Sequence, residues 1–338
     1  MSKVSLFRRF RVKQVSRRTG LAAVLLACYC TVAVAQWQSA PDEFQNKLLT
    51  MGTGPDIGSF SPIGDALCEM VNSHRRSTLV RCVRMRSAGS IFNIHAVANG
   101  SLQWGIAQEN LVVEAYKDTS RNDGRGLRVV ALVHESPISI TVRKASGITA
   151  LDQIRQGVVN LGYPGSGLAA NMGALLAALN LSTKDLAGVT RLPSVSGIQA
   201  FCDGKVDVIL NASAHPTEEI RKLRACGGEF LEIPPKVIET MMAGDSSLRR
   251  MDIASGLYDP QQKVVRSIGS RNLLFSSAAV DPEAIYRVAT LINRNLSTLQ
   301  STQPLLSSMR RLQAADVVAL ELPVHPGALR AMNEGARQ

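Results

Sequence analysis

The sequence predicts an α/β protein built as two lobes, and three observations carry that reading. From about Lys47 onward short apolar runs alternate with amphipathic stretches, the pattern of a sheet covered by helices on both faces. The alternation pauses at Ser146-Gly147 and a second series then begins. The chain has 338 residues, 45% of them hydrophobic and 19% charged, enough length for two ordinary domains and enough apolar material to offset chain entropy by burial.

The first lobe takes strands over 48–52, 79–86, 103–107, 127–133 and 138–142, with helices over 63–72 and 91–99. The second takes a helix over 150–156, a strand over 158–161, a helix over 168–179 and a strand over 206–210. A later strand-like run, 267–280, precedes Asp281-Pro282-Glu283, where proline in the first turn with an acid beside it starts a helix that runs to about Leu299. Lobe 1 is therefore expected over 43–143 plus 266–338 and lobe 2 over 144–265, with hinges near Lys144 and Val265. No repeat of 20 to 50 residues is visible.

Residues 1–35 are read as an export leader. Seven basic residues, Lys3 to Arg18, precede fifteen largely apolar residues from Leu21 to Ala35, and Ala33-Val34-Ala35 has the small-x-small spacing that signal peptidase accepts. Fifteen residues fall short of the ~20 that span a bilayer. Leu25-Leu26-Ala27-Cys28 is a minority alternative, lipid anchoring at Cys28, and Arg17-Arg18 lacks the apolar residue a twin-arginine signal wants. The whole chain carries a formal charge of +11, from 38 basic and 27 acidic residues. Removing the seven leader residues leaves 31 against 27, or about +4. Without a basic run interleaved with aromatics, nucleic acid is not an expected partner.

Export places Cys68, Cys82, Cys202 and Cys226 in an oxidising compartment. Four cysteines allow three connectivities, and the spacing favours two local bridges, 68–82 and 202–226, over free buried thiols. There is no Cys-x-x-Cys or His-Glu-x-x-His, so no metal is expected.

Three strand-to-helix turns carry the functional reading. Gly52-Thr53-Gly54-Pro55-Asp56-Ile57-Gly58 resembles a phosphate loop but has Ile57 where a dinucleotide fingerprint needs its third glycine, so no cofactor is expected. It leaves Ser59 and Phe60 at a helix start whose backbone amides could hold a carboxylate without a cationic side chain. The arrangement recurs at Ser87-Ala88-Gly89-Ser90, ahead of Asn93, and at Gly162-Tyr163-Pro164-Gly165-Ser166-Gly167. Any one such turn is more often structural; their recurrence at strand ends in two lobes points to one cleft.

The ordered set Gly-Ser-Phe-Ser-Pro-Ile-Gly (58–64), Ser-Ala-Gly-Ser-Ile-Phe-Asn (87–93), Gly-Ile-Ala-Gln (105–108), Ser-Gly-Ile (146–148), Leu-Gly-Tyr-Pro-Gly-Ser-Gly (161–167) and His-Pro-Gly-Ala (325–328) resembles the TAXI family of TRAP transporter solute receptors. The similarity runs from about Leu48 to Glu334, and the four cysteines match one branch of that family. It implies a two-lobe periplasmic binding protein fold, type II-like, with a hinge and an interlobe ligand cleft. It also implies a periplasmic monomer that binds a small carboxylate, organic acid or glutamate-like, and hands it to TRAP permease subunits without catalysis. Carried over, the ligand residues are Ser59, Phe60, Ser87, Gly89, Ser90, Asn93, Gln108, Gly165, Ser166 and Gly167, with His215-Pro216 matching a further pair. Arg143, beside the hinge, is added for its charge.

Four positions depart from the family. Phe60 lacks a tyrosine hydroxyl, Ala88 replaces a glycine, Asn110 stands where an aspartate is usual, and Leu168 replaces a threonine. Each removes a polar contact or a charge, which favours a less polar acid than glutamate. A secreted hydrolase is the competing enzyme reading, but Ser166 lies in Pro-Gly-Ser-Gly and not in a Gly-x-Ser-x-Gly elbow, and the five histidines assemble no triad. A ligand sensor or partner-binding protein, using the charged run 218–224 as its face, is the third class.

Overall fold

The computed structural model describes residues 47–120, 124–258 and 263–335. The expected leader, its cleavage point after Ala35 and Cys28 lie outside the described residues.

The chain opens with three strand-helix units: β1 (Lys47–Gly52) and α1 (Phe60–Ser73), β2 (Val80–Met85) and α2 (Ser90–Ala98), β3 (Trp104–Gln108) and α3 (Glu109–Lys117). β1 lies between β2 and β3 and is parallel to both. α1 forms because Ile63, Leu67 and Val71 recur at fourfold spacing and are buried against this sheet. Asn72 then closes the edge strand: its side chain donates to Cys82 O and accepts from Cys82 N, both at 2.9 Å, as a neighbouring strand would. The Cys68–Cys82 disulfide fastens the same helix to the same strand.

β4 (Leu127–Arg143) follows, then β5 (Val158–Asn160), α4 (Gly167–Ala178), β6 (Gly188–Thr190), α5 (Ser194–Cys202), β7 (Val208–Ala212), α6 (Glu218–Ala225), β8 (Gly228–Leu231), α7 (Pro235–Gly244) and β9 (Arg249–Ile253). The long β10 (Val265–Ser277) returns the chain to the first sheet, and α8 (Pro282–Arg294), α9 (Leu296–Thr302), α10 (Ala314–Ala319) and α11 (Pro326–Gly335) complete it. The strand order is β2-β1-β3-β10-β4-β7-β5-β6, with β8 on β4 and β9 on β10. The Cys202–Cys226 disulfide joins the ends of α5 and α6.

β4 is one strand where two were expected, 127–133 and 138–142. Its residues 127–137 pair with β10, and its residues 138–143 pair with β7 and β8. Pro137, which lies between the two expected strands, sits at this change of partner, opposite Gly269. A Cβ on Gly269 would meet Ser136 O at 2.2 Å and Pro137 Cα at 2.7 Å, so only glycine lets the two backbones cross here. The buried apolar residues divide at the same place. One cluster takes 49–133 and 273–331, and the other two take 138–268. These are called the first and second halves below; β4 and β10 carry the chain between them.

Two helix expectations are corrected. Residues 151–156 form a 3-10 helix, and the helix begun at Pro282 stops at Arg294. There Asn295 Nδ2 donates to Leu291 O at 2.9 Å, occupying a carbonyl of the last turn, and α9 begins anew at Leu296.

A buried ionic cluster locks the crossing. Glu109, at the start of α3, accepts from Arg271 Nε at 2.6 Å and Nη2 at 2.7 Å, and from Arg249 on β9 at 3.3 Å. Arg271 continues to Asp316 on α10 at 3.4 Å, and Asp316 also binds Arg310. Glu109 and Asp316 are both buried, and each carboxylate is met by guanidinium groups; the Arg310 hydrogen bond holds the Asp316 carboxyl below its ordinary range.

Candidate ligand site

A cavity of about 490 Å³ lies between the two halves. Its walls begin where helices begin. The first turns of α1 (Ser59, Phe60), α2 (Gly89, Ser90), α4 (Ser166, Gly167) and α5 (Ser194, Ser196) all line it. Each helix start presents amides without an intrahelical partner and the positive end of its dipole, so four such ends facing one space favour an anion.

The serines divide their work. Ser166 caps α4, accepting from Ala169 N at 3.2 Å and donating to Tyr163 O at 2.6 Å, so its hydroxyl is engaged as a turn former and not as a nucleophile. Ser87 bridges turns, donating to Thr53 O at 3.1 Å and accepting from Gly89 N at 3.0 Å. Ser90 accepts from Gln108 N at 3.2 Å. Ser59 is buried yet makes no side-chain cap to α1, which leaves its hydroxyl available to the cavity. Beside it the Phe60 ring packs edge-on to His134, 5.7 Å between centroids. Burial lowers the His134 imidazole to about 4, so Phe60 rests on a neutral ring.

Nine of the residues singled out from sequence line the cavity: Ser59, Phe60, Ser87, Gly89, Ser90, Gln108, Ser166, Gly167 and Leu168. Four do not. Asn93 lies one layer behind, its Nδ2 donating to Thr53 O at 2.6 Å and Ile106 O at 2.8 Å, where it ties β1 to β3. Gly165 is exposed with φ of 80°, a left-handed turn position that favours glycine. His215 bonds Tyr258 through Nδ1 at 2.7 Å, and Tyr258 accepts from Thr217 N at 2.9 Å, bracing the start of α6. Arg143 pairs with Asp207 at 2.5 Å, and Asp207 also accepts from Val158 N at 3.0 Å, so its charge is spent on the register of β4, β5 and β7.

The second half adds a wall that sequence reading missed: Asn160, the turn 192–196, Asn211, Ser213 and Glu219. Asn160 fixes the turn by accepting from Leu192 N at 2.9 Å and donating to Leu192 O at 3.2 Å. Pro193-Ser194-Val195-Ser196-Gly197 is another small-residue strand-to-helix turn and was findable on that ground. Glu219 lies within the charged run 218–224, which the sequence offers as an exposed partner face. The signal against that reading was its place beside Ile220 and four residues before Leu223, the buried face of α6. Burial raises its carboxyl above the ordinary range, against hydrogen bonds from Ser194 and Asn211.

The halves already touch at the cavity floor. Gln108 Oε1 accepts from Asn171 Nδ2 at 3.1 Å, and an ideal Cβ on Gly167 would lie 3.0 Å from Gln108 Nε2 and 3.2 Å from Ser90 Oγ.

A family model for the NMT1-like family matches residues 51–335, most of the chain. The chain belongs to the NMT1-like family. Among solved structures, this NMT1-like protein is similar to one from Bordetella bronchiseptica RB50, with TM-score 0.53 and 14% identity over 86% of this chain and 89% of that one. It is also similar to MatC from Rhodopseudomonas palustris with bound malate, with TM-score 0.52 and 15% identity over 86% and 97%. At that identity the likeness is one of fold: a mixed α/β sheet flanked by helices, shared by the NMT1-like chain and MatC over nearly their whole lengths.

Proposed function

We propose that the chain is an extracytoplasmic solute receptor that captures a small organic acid in the cavity between its halves and delivers it to a membrane permease of the TRAP type. The single observation that carries this is the convergence of four helix starts on one space of about 490 Å³ whose lining holds a single cation, Arg86, among the described residues. Arg86 is exposed and paired with Asp56 at 3.3 Å, so the anion's counter-charge comes from backbone amides. The two disulfides, the basic leader with its small-x-small end and the ordered TAXI-like turns support a periplasmic location and this transporter class. MatC, whose structure holds malate, shares the fold, which is consistent with an acid as ligand here.

Selectivity follows from the lining. Phe60 and Leu168 offer apolar surface where a hydroxyl would serve a more polar ligand, which favours an acid less polar than glutamate. Closure works through β4 and β10: contacts made by both halves at once exist only when the halves meet, so a ligand that bridges them shifts the population to the closed form. The test is a thermal-shift screen of the chain from Gln36 against amino acids, dicarboxylates, keto acids and aliphatic or aromatic monocarboxylates. Stabilisation by one acid, about 2.7 kcal/mol at a hundredfold excess over Kd, supports the reading. A flat screen at that concentration rejects it, and tight glutamate binding with rejection of apolar acids rejects the selectivity.

A further inference from the structure

Glu219 is the one acid lining the cavity among the described residues, and it is 96% buried, at 4% exposure. Its hydrogen-bond partners are neutral: Asn211 Nδ2 donates to Oε2 at 3.3 Å, and the Ser194 hydroxyl supplies a second bond. The groups that face it from the surrounding elements bring no compensating charge. His215 and Tyr258 are both uncharged near neutrality, because burial lowers the imidazole to about 4 and raises the phenol. Asp56 and Arg86, on the opposing turns, are exposed and paired with each other. On α6 itself Glu218, Arg221 and Lys222 are exposed, and Arg224 is turned away to bond Gly228 O at 2.7 Å. The carboxyl reaches towards the first half: a Cβ on Gly58 would lie 3.9 Å from Glu219 Oε1.

We propose that Glu219 is protonated in the ligand complex and donates that proton as a hydrogen bond to the bound acid, so that capture of a carboxylate takes up one proton from solvent. The inference rests on the receptor reading given above. A ligand carboxylate drawn in by the helix amides enters the same dry space as Glu219, and two like charges at close range in low dielectric cannot both persist. The first turn of α6 favours the ionised form only weakly, a small effect beside the repulsion of a second carboxylate in such a medium. The balance is simple: one proton adds to a Glu219 oxygen, no covalent bond forms to the ligand, and the proton returns to solvent when the ligand leaves. Affinity is therefore constant below the pKa of Glu219 in the empty receptor. Above it, affinity falls by up to about tenfold per pH unit until the pKa in the complex is reached.

Two measurements test this. In the ligand-free protein, carboxyl NMR of carbon-13-labelled glutamate should show one signal, missing from Glu219→Gln, that titrates above the ordinary glutamate range. Titration calorimetry with succinate, malate, L-glutamate and benzoate, in phosphate and in Tris near neutral pH, should give about one proton taken up per acid bound. Glu219→Gln, which keeps a donor at the same place without needing a proton, should bind that acid with no proton uptake and no pH dependence over the same range, near the affinity the wild type reaches at acid pH and so more tightly than the wild type near neutrality. Binding by the wild type without proton uptake overturns the assignment, as does a loss of about a hundredfold or more in Glu219→Gln, which would make Glu219 an ionised acceptor for a cationic group. An elevated carboxyl titration with no binding of any acid in a wider panel overturns the receptor reading instead, and proton-linked capture with it.

Discussion

Gln108 Oε1 accepts a hydrogen bond from Asn171 Nδ2 at 3.1 Å, joining the end of β3 in the first half to α4 in the second beneath the cavity. Both side chains are buried, and neither could make this contact if the halves separated. Asn171→Ala should therefore weaken the closed form without touching the ligand, lowering affinity about fivefold, the equivalent of ~1 kcal/mol for one net hydrogen bond. Calorimetry reads the affinity, and small-angle scattering of the ligand-free chain should show a larger radius for the variant. Equal radii and equal affinity would remove this contact from the closure mechanism.

Gly167→Ala tests the same approach sterically. The added methyl would crowd Gln108 Nε2 and Ser90 Oγ, which real Cβ atoms seldom approach so closely. Affinity should fall while thermal stability of the ligand-free protein holds or rises slightly, since alanine suits the first turn of α4 better than glycine. A variant that binds as the wild type does would mean Gln108 yields without cost.

The disulfides brace the two halves separately. Cys68 and Cys82 are 14 residues apart, Cys202 and Cys226 are 24 apart, and loop entropy assigns each bridge about 3 kcal/mol. Paired serine substitution at either bridge should lower the urea-unfolding free energy by roughly that amount. Losses that fail to add when both bridges are removed would show that the two bridges are energetically coupled.

Acid should destabilise the fold through two histidines. His134 and His215 have imidazoles lowered by burial to about 4 from 6.5, so the unfolded chain binds more protons than the folded one between those values. Stability is full above about pH 6.5 and falls as the pH drops towards 4, by up to roughly 3 kcal/mol for each histidine. Urea titrations from neutral to acid pH should show the decline, and His134→Gln should reduce its slope. A wild-type stability flat across that window would sink the assignment.

The buried acid of the crossing should be the most sensitive single position. Glu109→Ala leaves the Arg271 guanidinium buried with only Asp316 at 3.4 Å, and should cost about 3–5 kcal/mol. Soluble expression and urea unfolding check this; a loss below about 1 kcal/mol would show that Arg249 and Arg271 reach solvent without difficulty.

What was legible in the sequence follows from where information is local. The strand-helix turns carry their own backbone chemistry in glycine, serine and proline, so the positions of Ser59, Ser90 and Ser166 at the cavity could be read directly. The continuity of β4 could not, because Pro137 breaks an isolated strand and is tolerated only where Gly269, more than a hundred residues away, removes a side chain from its path. Glu219 was hidden for a related reason: the charged residues near it in sequence, Glu218, Arg221 and Lys222, are solvated, while the residues that bury it come from α5, β7 and the facing turn near Gly58. Arg143 and His215 show the converse, residues whose type suggests ligand chemistry and whose partners, Asp207 and Tyr258, make them structural.

The path of the chain also bears on how ligand preference could diverge among descendants. Every cavity residue of the second half lies between Asn160 and Glu219, one uninterrupted stretch that leaves through β4 and comes back through β10. A single recombination event replacing that stretch would exchange a whole wall, Glu219 included, while leaving the first-half framework untouched.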